Sequence, residues 1–305
     1  MDKDKAVLCF HQAASVLPTA LRKVANELSD AEKEQAEEIR LRVGQTMTVL
    51  LPDREIDTGV EVEQEDLESL CNLATEFSRY SALETIRRCY LPMRGGCRIG
   101  LCGTAVVKEG SNTNLKEFSS VSIRIAREKK GIAESLTPRL LQDGHFVSTL
   151  ILGPPGAGKT TLLRDLIRCL SDGINIERPF RVSLADERGE VAVLWRGQPQ
   201  MDVGCRTDVL EACPKALAIP MLLRAMNPEI IAVDEITARE DLTAMTQAAN
   251  CGVGLLATIH GGSVSELLLK PLYADLLAAK VFSLAVLIGQ RTDGGRDYRV
   301  EELPC

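Results

Sequence analysis

Residues 153–160 read Gly153-Pro154-Pro155-Gly156-Ala157-Gly158-Lys159-Thr160, a complete G-x-x-x-x-G-K-[ST] pattern. Glycines at these places let a backbone close round a phosphate, with its N–H groups turned inward as an anion nest. A helix starting at Lys159 would add the positive end of its dipole. Lys159 would then reach the terminal phosphates, the Thr160 hydroxyl would ligate magnesium, and Thr161 would complete the loop contacts. Adjacent acids follow in two places. Asp234 and Glu235 end an apolar run; the aspartate suits a metal bound through water, and the glutamate suits polarising an attacking water. Asp186 and Glu187 end an earlier run and would help hold the metal, its waters or the attacking water. A third run closes in Thr258-Ile259-His260-Gly261, where His260 would sense a terminal phosphate or position water. The set calls for a nucleoside triphosphate with Mg2+. Each piece has a plainer reading, as a solvated turn or a structural histidine, but a glycine loop flanked by a strand and a helix argues for the phosphate loop.

Those side chains need elements to place them. Residues 147–152 are apolar enough for a buried parallel strand. After the loop, Leu162, Leu163, Leu166 and Ile167 recur at helical spacing, with Arg164, Asp165 and Arg168 between them. Strands follow at 180–185, 230–236, 254–261 and 281–289, and helices at 217–226, 238–252 and 263–279, with a loop over 203–216 entering the first of these helices. Asp293, Gly294 and Gly295 suggest a hairpin turn before a last strand at 298–301. Acids at the C-terminal ends of parallel strands lie where α/β ligands bind. Residues 131–305 therefore read as an α/β domain with a parallel sheet and some antiparallel pairing at its end.

Residues 1–130 read as a smaller α+β domain. The first 30 residues are helical in pattern, broken at Pro18. Strands at 38–43 and 46–51 make a hairpin, a long helix spans 64–88 on Leu67, Leu70, Leu73, Phe77, Leu83 and Ile86, and glycine-punctuated strands run through 94–108 and 118–126. A short helix within 131–144 bridges the domains. Arg40, Arg42, Arg98, Arg124 and Arg127 fall at strand positions on the polar phase. Alone, each belongs to a solvated face; near a phosphate, guanidinium is well suited to bind it.

Composition narrows the partners. The chain has 305 residues and net charge -7, with no long basic run and 4% aromatic residues. That disfavours a nucleic-acid partner and a translocating or loading ATPase, which would need a basic, aromatic-bearing groove. No secretory leader and no run of roughly 18 apolar residues is present, so a cytoplasmic protein without its own transmembrane segment is expected. Ten scattered cysteines without paired C-x-x-C spacing read as reduced thiols rather than as zinc ligands.

The motifs together resemble the secretion-ATPase superfamily, the RecA-like motors of type II and type IV secretion and of pili, and within it the stage III sporulation protein AA family. The resemblance rests on residues 153–160, on Asp186-Glu187-Arg188-Gly189-Glu190, on 204–210 with 213–216, on 227–236 and on 258–261, and in the first domain on 96–100 and 122–125. It implies a RecA-like P-loop NTPase domain behind the smaller α+β domain, and a hexameric ATPase. It further implies that Asp186-Glu187 serves as the acidic box, Thr258 to His260 as the histidine box, and N-terminal arginines, here Arg98, Arg124 and Arg127, close over the nucleotide. The family role would be peripheral, in the mother cell, energising a channel complex of membrane proteins during sporulation. Two departures stand out: Asp234-Glu235 replaces the Gly-Glu common in such motors, and neither a tetracysteine element nor a long N-terminal docking domain is evident. A slow nucleotide-dependent scaffold remains the alternative.

Overall fold

Alternation and continuity of apolar residues build two different sheets. The structure, a computed structural model, describes residues 3–76, 83–108, 110–290 and 295–304. It divides into a unit of Met1–Glu128 with Leu194–Gln200, and a unit of Lys129–Val193 with Met201–Cys305.

The first unit begins with helices α1 (Lys3–Ala14), α2 (Thr19–Glu27) and α3 (Asp30–Gln35). The Ser29 side chain accepts from Glu32 N–H and the Glu32 carboxylate accepts from Ser29 N–H, a capping box that starts α3. Strands β1 (Glu38–Arg42), β2 (Thr46–Leu50), β3 (Glu55–Glu61), β4 (Tyr90–Pro92), β5 (Arg98–Lys108) and β6 (Ser111–Arg124) form a six-stranded sheet in the order β3-β2-β1-β6-β5-β4. All its pairings are antiparallel. Ile39, Leu41, Met47, Val49, Ile99, Leu101, Val121 and Ile123 are buried on one phase, as are Phe10, Leu21, Leu67 and Leu70 of the helices and Leu17 between α1 and α2. Helix α4 (Gln64–Ala74) stops well short of the expected 64–88. Thr75 turns its hydroxyl back onto the Cys71 carbonyl and Glu76 adopts φ +51°, which ends the helix. Helix α5 (Leu83–Arg87) takes up the pattern again; Phe77 of the expected apolar face lies outside the described residues. The β3 strand, unread in the sequence, is an edge strand with alternately exposed residues.

The second unit contains a short hairpin, β7 (Leu141–Gln142) and β8 (His145–Phe146), where a helix within 131–144 was expected; of those residues only Thr137–Leu140 form a helical turn, a 3-10 one. Next come β9 (Thr149–Gly153), α6 (Lys159–Asp172) and β10 (Val182–Asp186). The small strands β11 (Leu194–Trp195) and β12 (Gln198–Pro199) lie in the segment that belongs to the first unit. The chain continues through β13 (Thr207–Glu211), α7 (Lys215–Met226), β14 (Ile230–Val233), α8 (Arg239–Asn250), β15 (Gly254–His260), α9 (Val264–Leu267), α10 (Pro271–Ala278), β16 (Leu284–Gln290) and β17 (Arg296–Glu302). The sheet order is β13-β10-β14-β15-β9-β16-β17, parallel except for β17, which pairs antiparallel with β16. Every residue of β9, β10 and β14 is buried, as strands covered on both faces require. Residues 207–211, expected as loop, are the edge strand β13; their half-exposed, polar sequence carries no strand period. Pro271 splits the expected 263–279 helix at the first position of α10. Asp293 and Gly294 of the expected turn lie outside the described residues.

Candidate functional site

The phosphate-loop sequence occupies the connection between β9 and α6. Gly156 and Gly158 have φ of +74° and +93°, which L side chains rarely adopt, so the loop is curled in the way the pattern anticipates. The first turn of α6 follows at Lys159, with Thr160 and Thr161 beside it. Charged residues farther along α6 are buried rather than solvated. Arg164 donates to the Val191 and Glu190 carbonyls, and Arg168 to Asp165, which itself accepts from the Ala133 N–H.

Strands β15 and β14 bring the other expected groups to the same end of the sheet. The Thr160 hydroxyl donates to Asp234 Oδ2 at 3.1 Å, and the Thr258 hydroxyl to Asp234 Oδ1 at 3.0 Å. Thr258 is fully buried and also accepts the Glu235 N–H, so one hydroxyl ties both acids to β15. Glu235 has φ +41°, a strained left-handed conformation for a non-glycine residue. Burial pushes the Asp234 carboxyl above the usual range, Thr258 and Thr160 pull it back, and Asp186 and Glu190 add to the rise.

A second chain of contacts runs from the loop to Glu235. Lys159 Nζ donates to the Gly153 carbonyl at 3.0 Å and the Pro154 carbonyl at 3.1 Å, and lies 2.8 Å from His260 Nδ1. An ammonium has only hydrogens to offer, so Nδ1 accepts and the ring proton sits on Nε2. Nε2 is 2.9 Å from Glu235 Oε1, and Arg188 Nη1 is 3.3 Å from Glu235 Oε2. Lys159 is only 8% exposed. Its burial lowers the ammonium's pKa, while Glu235 and Asp234 work to raise it.

The acidic pair after β10 is employed differently. Asp186 is fully buried, and its carboxylate accepts the backbone N–H groups of Glu190, Val191 and Ala192 at 2.9 to 3.0 Å. Both oxygens thus hold the turn that follows. Glu187 is ion-paired with the buried Lys215, which also lies 4.0 Å from Asp241. Arg188 and Lys215 stood inside motif stretches without being singled out; the charge of Arg188 next to Asp186-Glu187 was an available signal, while Lys215 is 28 residues from Glu187 and only the fold brings them together. Arg296, whose Nη2 donates to the Gly156 carbonyl at 3.2 Å, belongs to no motif at all.

The three N-terminal arginines lie in the first unit. Arg98 and Arg124 face each other across β5 and β6, with Glu38 next in the row on β1. The Arg98 guanidinium stacks 4.0 Å from the Tyr90 ring centroid, and Arg127 donates to the Ala36 carbonyl at 2.8 Å. Arg124 is exposed.

Thr160 and Asp234 are the protein groups suited to Mg2+. A hydroxyl and a half-buried carboxylate lying 3.1 Å apart fit an ion that keeps waters and takes its remaining ligands from phosphates. Among the described residues no group of three or more His, Cys, Asp or Glu side chains could hold a metal by itself. No helix among them is long and apolar enough to cross a membrane. Four of the nine described cysteines, Cys9, Cys71, Cys97 and Cys169, are buried, and burial pushes the Cys97 and Cys169 thiols up to about 11.

This parallel sheet, with a glycine loop after β9, His260 at the end of the adjacent β15 and paired acids after β14 beyond it, has the RecA-like fold of secretion ATPases. The Legionella pneumophila ATPase DotB superposes with a TM-score of 0.60 at 16% identity, over 94% of this chain and 80% of that one. The pilus retraction motor PilT, solved with bound ADP, gives 0.57 at 15% identity, over 88% and 79%. More particularly, the chain belongs to the stage III sporulation protein AA family. The family described as "Sporulation stage III, protein AA" matches residues 10–301. The stage III sporulation protein AA of Bacillus subtilis (strain 168) is 37% identical over 273 residues, covering 90% of this chain and 89% of that relative.

Proposed function

We propose that the protein is an ATP-hydrolysing motor that serves a secretion or channel complex in sporulation, working as a ring of subunits, with six the number the resemblance suggests. The observation that carries this reading is the convergence of Lys159, Thr160, Asp234, Glu235 and His260 at the C-terminal ends of β9, β14 and β15. The family's name supports the sporulation role, and the ADP of the PilT structure supports the nucleotide.

In this reading the loop amides and Lys159 take the phosphates. Thr160 and Asp234 hold Mg2+, which when bound neutralises phosphate charge. Glu235 orients and polarises the attacking water, and His260, proton on Nε2, keeps its carboxylate in place. Lys159 now has all three of its N–H groups engaged, by two carbonyls and His260. A terminal phosphate must draw it from these partners, and His260 is thereby told that the site is filled. Asp186 sets the turn over 186–192, and Glu187 acts through Lys215; we assign them to positioning rather than to metal or water. Arg98, Arg124 and Arg127 are proposed to complete nucleotide sites of the ring, cytoplasmic and peripheral at a membrane complex.

Steady-state ATP hydrolysis across a protein dilution series, with Glu235→Gln as blank, tests the proposal. Specific activity that rises with protein concentration supports sites completed between subunits. Activity no higher than the blank at every concentration overturns the motor in its isolated form and favours the slow scaffold.

A further inference from the structure

The two ends of a bound nucleotide have different neighbours, and the sheet order says which. In the order β14-β15-β9-β16-β17 the phosphate loop hangs from β9, with Asp234, Glu235 and His260 all on the β15 and β14 side. The terminal phosphate is drawn to that side by Lys159 and Thr160. The nucleoside end therefore leaves on the opposite side, over β16 and β17.

A cavity of about 250 Å³ lies there, lined by Pro154, Pro155, Gly156 and Ala157 of the loop, by Ile288, Gly289 and Gln290 of β16, and by Arg296 of β17. Ile288 packs close to the end of β9, since a Cβ built on Gly153 would lie 3.5 Å from the Ile288 Cβ. Gln290 and Arg296 are register partners at the mouth of the β16–β17 hairpin. The Arg296 guanidinium is seated on the loop backbone: Nη2 donates to the Gly156 carbonyl, and the group fills the space in which any side chain at 158 would begin. The cavity is thus apolar on its proline and isoleucine walls and carries a planar cation at its edge.

We propose that this cavity is the subsite for the nucleobase of the bound nucleoside triphosphate, and that Arg296 is its affinity-determining residue, stacking its guanidinium plane on the base. The proposal rests on the nucleotide reading above and deepens it. Guanidinium is suited to this place because it stacks on π-faces while its edge N–H groups stay bonded, here to the Gly156 carbonyl. An ammonium in the same position offers charge without a plane. Base recognition is thereby built into the C-terminal hairpin of the same subunit, on the far side of the loop from the chemistry.

The test is calorimetric titration of the full chain with Mg-ATP and, separately, with inorganic tripolyphosphate, which has the phosphates and no base. Arg296→Ala should weaken ATP binding by about tenfold, the size of one lost base stack, and leave tripolyphosphate binding within about twofold. Arg296→Lys, which keeps the charge and the hairpin, should weaken ATP almost as much as Arg296→Ala. Equal loss for both ligands would overturn the proposal and make Arg296 a prop of the phosphate loop. Full rescue by Lys would overturn it in favour of simple charge attraction, and unchanged ATP affinity in both variants would remove Arg296 from the site. A wild-type chain that binds tripolyphosphate and ATP equally well sinks the base subsite while sparing the phosphate loop. A wild-type chain that binds neither sinks the nucleotide reading, and the subsite with it.

Discussion

The two sheets handle their polar side chains in opposite ways. The antiparallel sheet of the first unit buries one phase and leaves Arg40, Arg42, Arg98 and Arg124 on the other, along strands β1, β5 and β6. The parallel sheet of the second unit has strands buried throughout, so its chemistry is confined to the strand ends. Arginines on a sheet face are spread over several strands, and each retains solvent and neighbours, as Arg98 does with Tyr90. Groups at strand ends converge on one small volume, where Asp234 is half removed from water and Lys159 almost wholly so. The difference teaches that substitutions at the edge of the second sheet should disturb chemistry sharply, whereas those on the face of the first should act in small, shared steps.

The largest effect is expected from Glu235→Gln. Loss of this carboxylate, in its proposed water-activating role, should lower kcat by about 10²–10⁴ while ATP remains bound, seen as trapped nucleotide in a filter or gel-filtration assay. A wild-type turnover rate would remove Glu235 from the reaction. Lys159→Ala deletes a charged hydrogen-bonding partner of the phosphates and should weaken ATP binding by about 10–100-fold in a titration; unchanged affinity would break the assignment of the loop. On the sheet face, Arg98→Ala and Arg124→Ala should each lower ATPase activity less than either change at the strand ends, with the double variant exceeding each single one. If one of them alone abolishes turnover, the contrast between face and edge fails.

The smallest effect separates stability from chemistry. Burial holds the Asp234 carboxyl above its ordinary value of 3.8, so the native state keeps a proton that the unfolded chain has lost. Stability therefore falls as pH rises from the unfolded value through the raised native one. Asp234→Asn removes that dependence. The nucleotide-free variant should melt a few degrees above the parent at neutral pH, with the gain vanishing as pH falls toward 3.8. A gain that stays constant with pH would show that Asp234 is not held against its charge.

Much of the second unit was legible because its strands are continuous apolar runs. Residues 230–233 and 254–260 announce themselves, and with them the position of Asp234, Glu235 and His260 at their ends. The glycine loop is local chemistry and was legible for the same reason: φ values of +74° and +93° require glycine at 156 and 158. Where burial is partial, the pattern failed. Residues 207–211 form an edge strand on hydrogen bonds to β10 alone, and α6 looked amphipathic although Arg164, Asp165 and Arg168 are buried with Val191, Ala133 and Glu134 as partners distant in sequence. The helix over 64–88 ended early because the Thr75 hydroxyl turns back onto the Cys71 carbonyl and Glu76 takes a positive φ, against an apolar spacing that continued.

Residue order by itself determined the phosphate loop, the strands that carry the acids and the family, since each depends on contiguous residues and their period. Tertiary structure alone decided which carboxylates remain available. Asp186 and Glu187 look equivalent to Asp234 and Glu235 along the chain, yet three backbone amides hold the first and Lys215 the second. It also decided the tautomer of His260, through the ammonium 2.8 Å from Nδ1, and the place of Arg296, which is 140 residues along the chain from the carbonyl it holds. A carboxylate's role depends on which donors reach it first, and donors that arrive from separate strands are set by sheet order, which no local stretch of sequence contains.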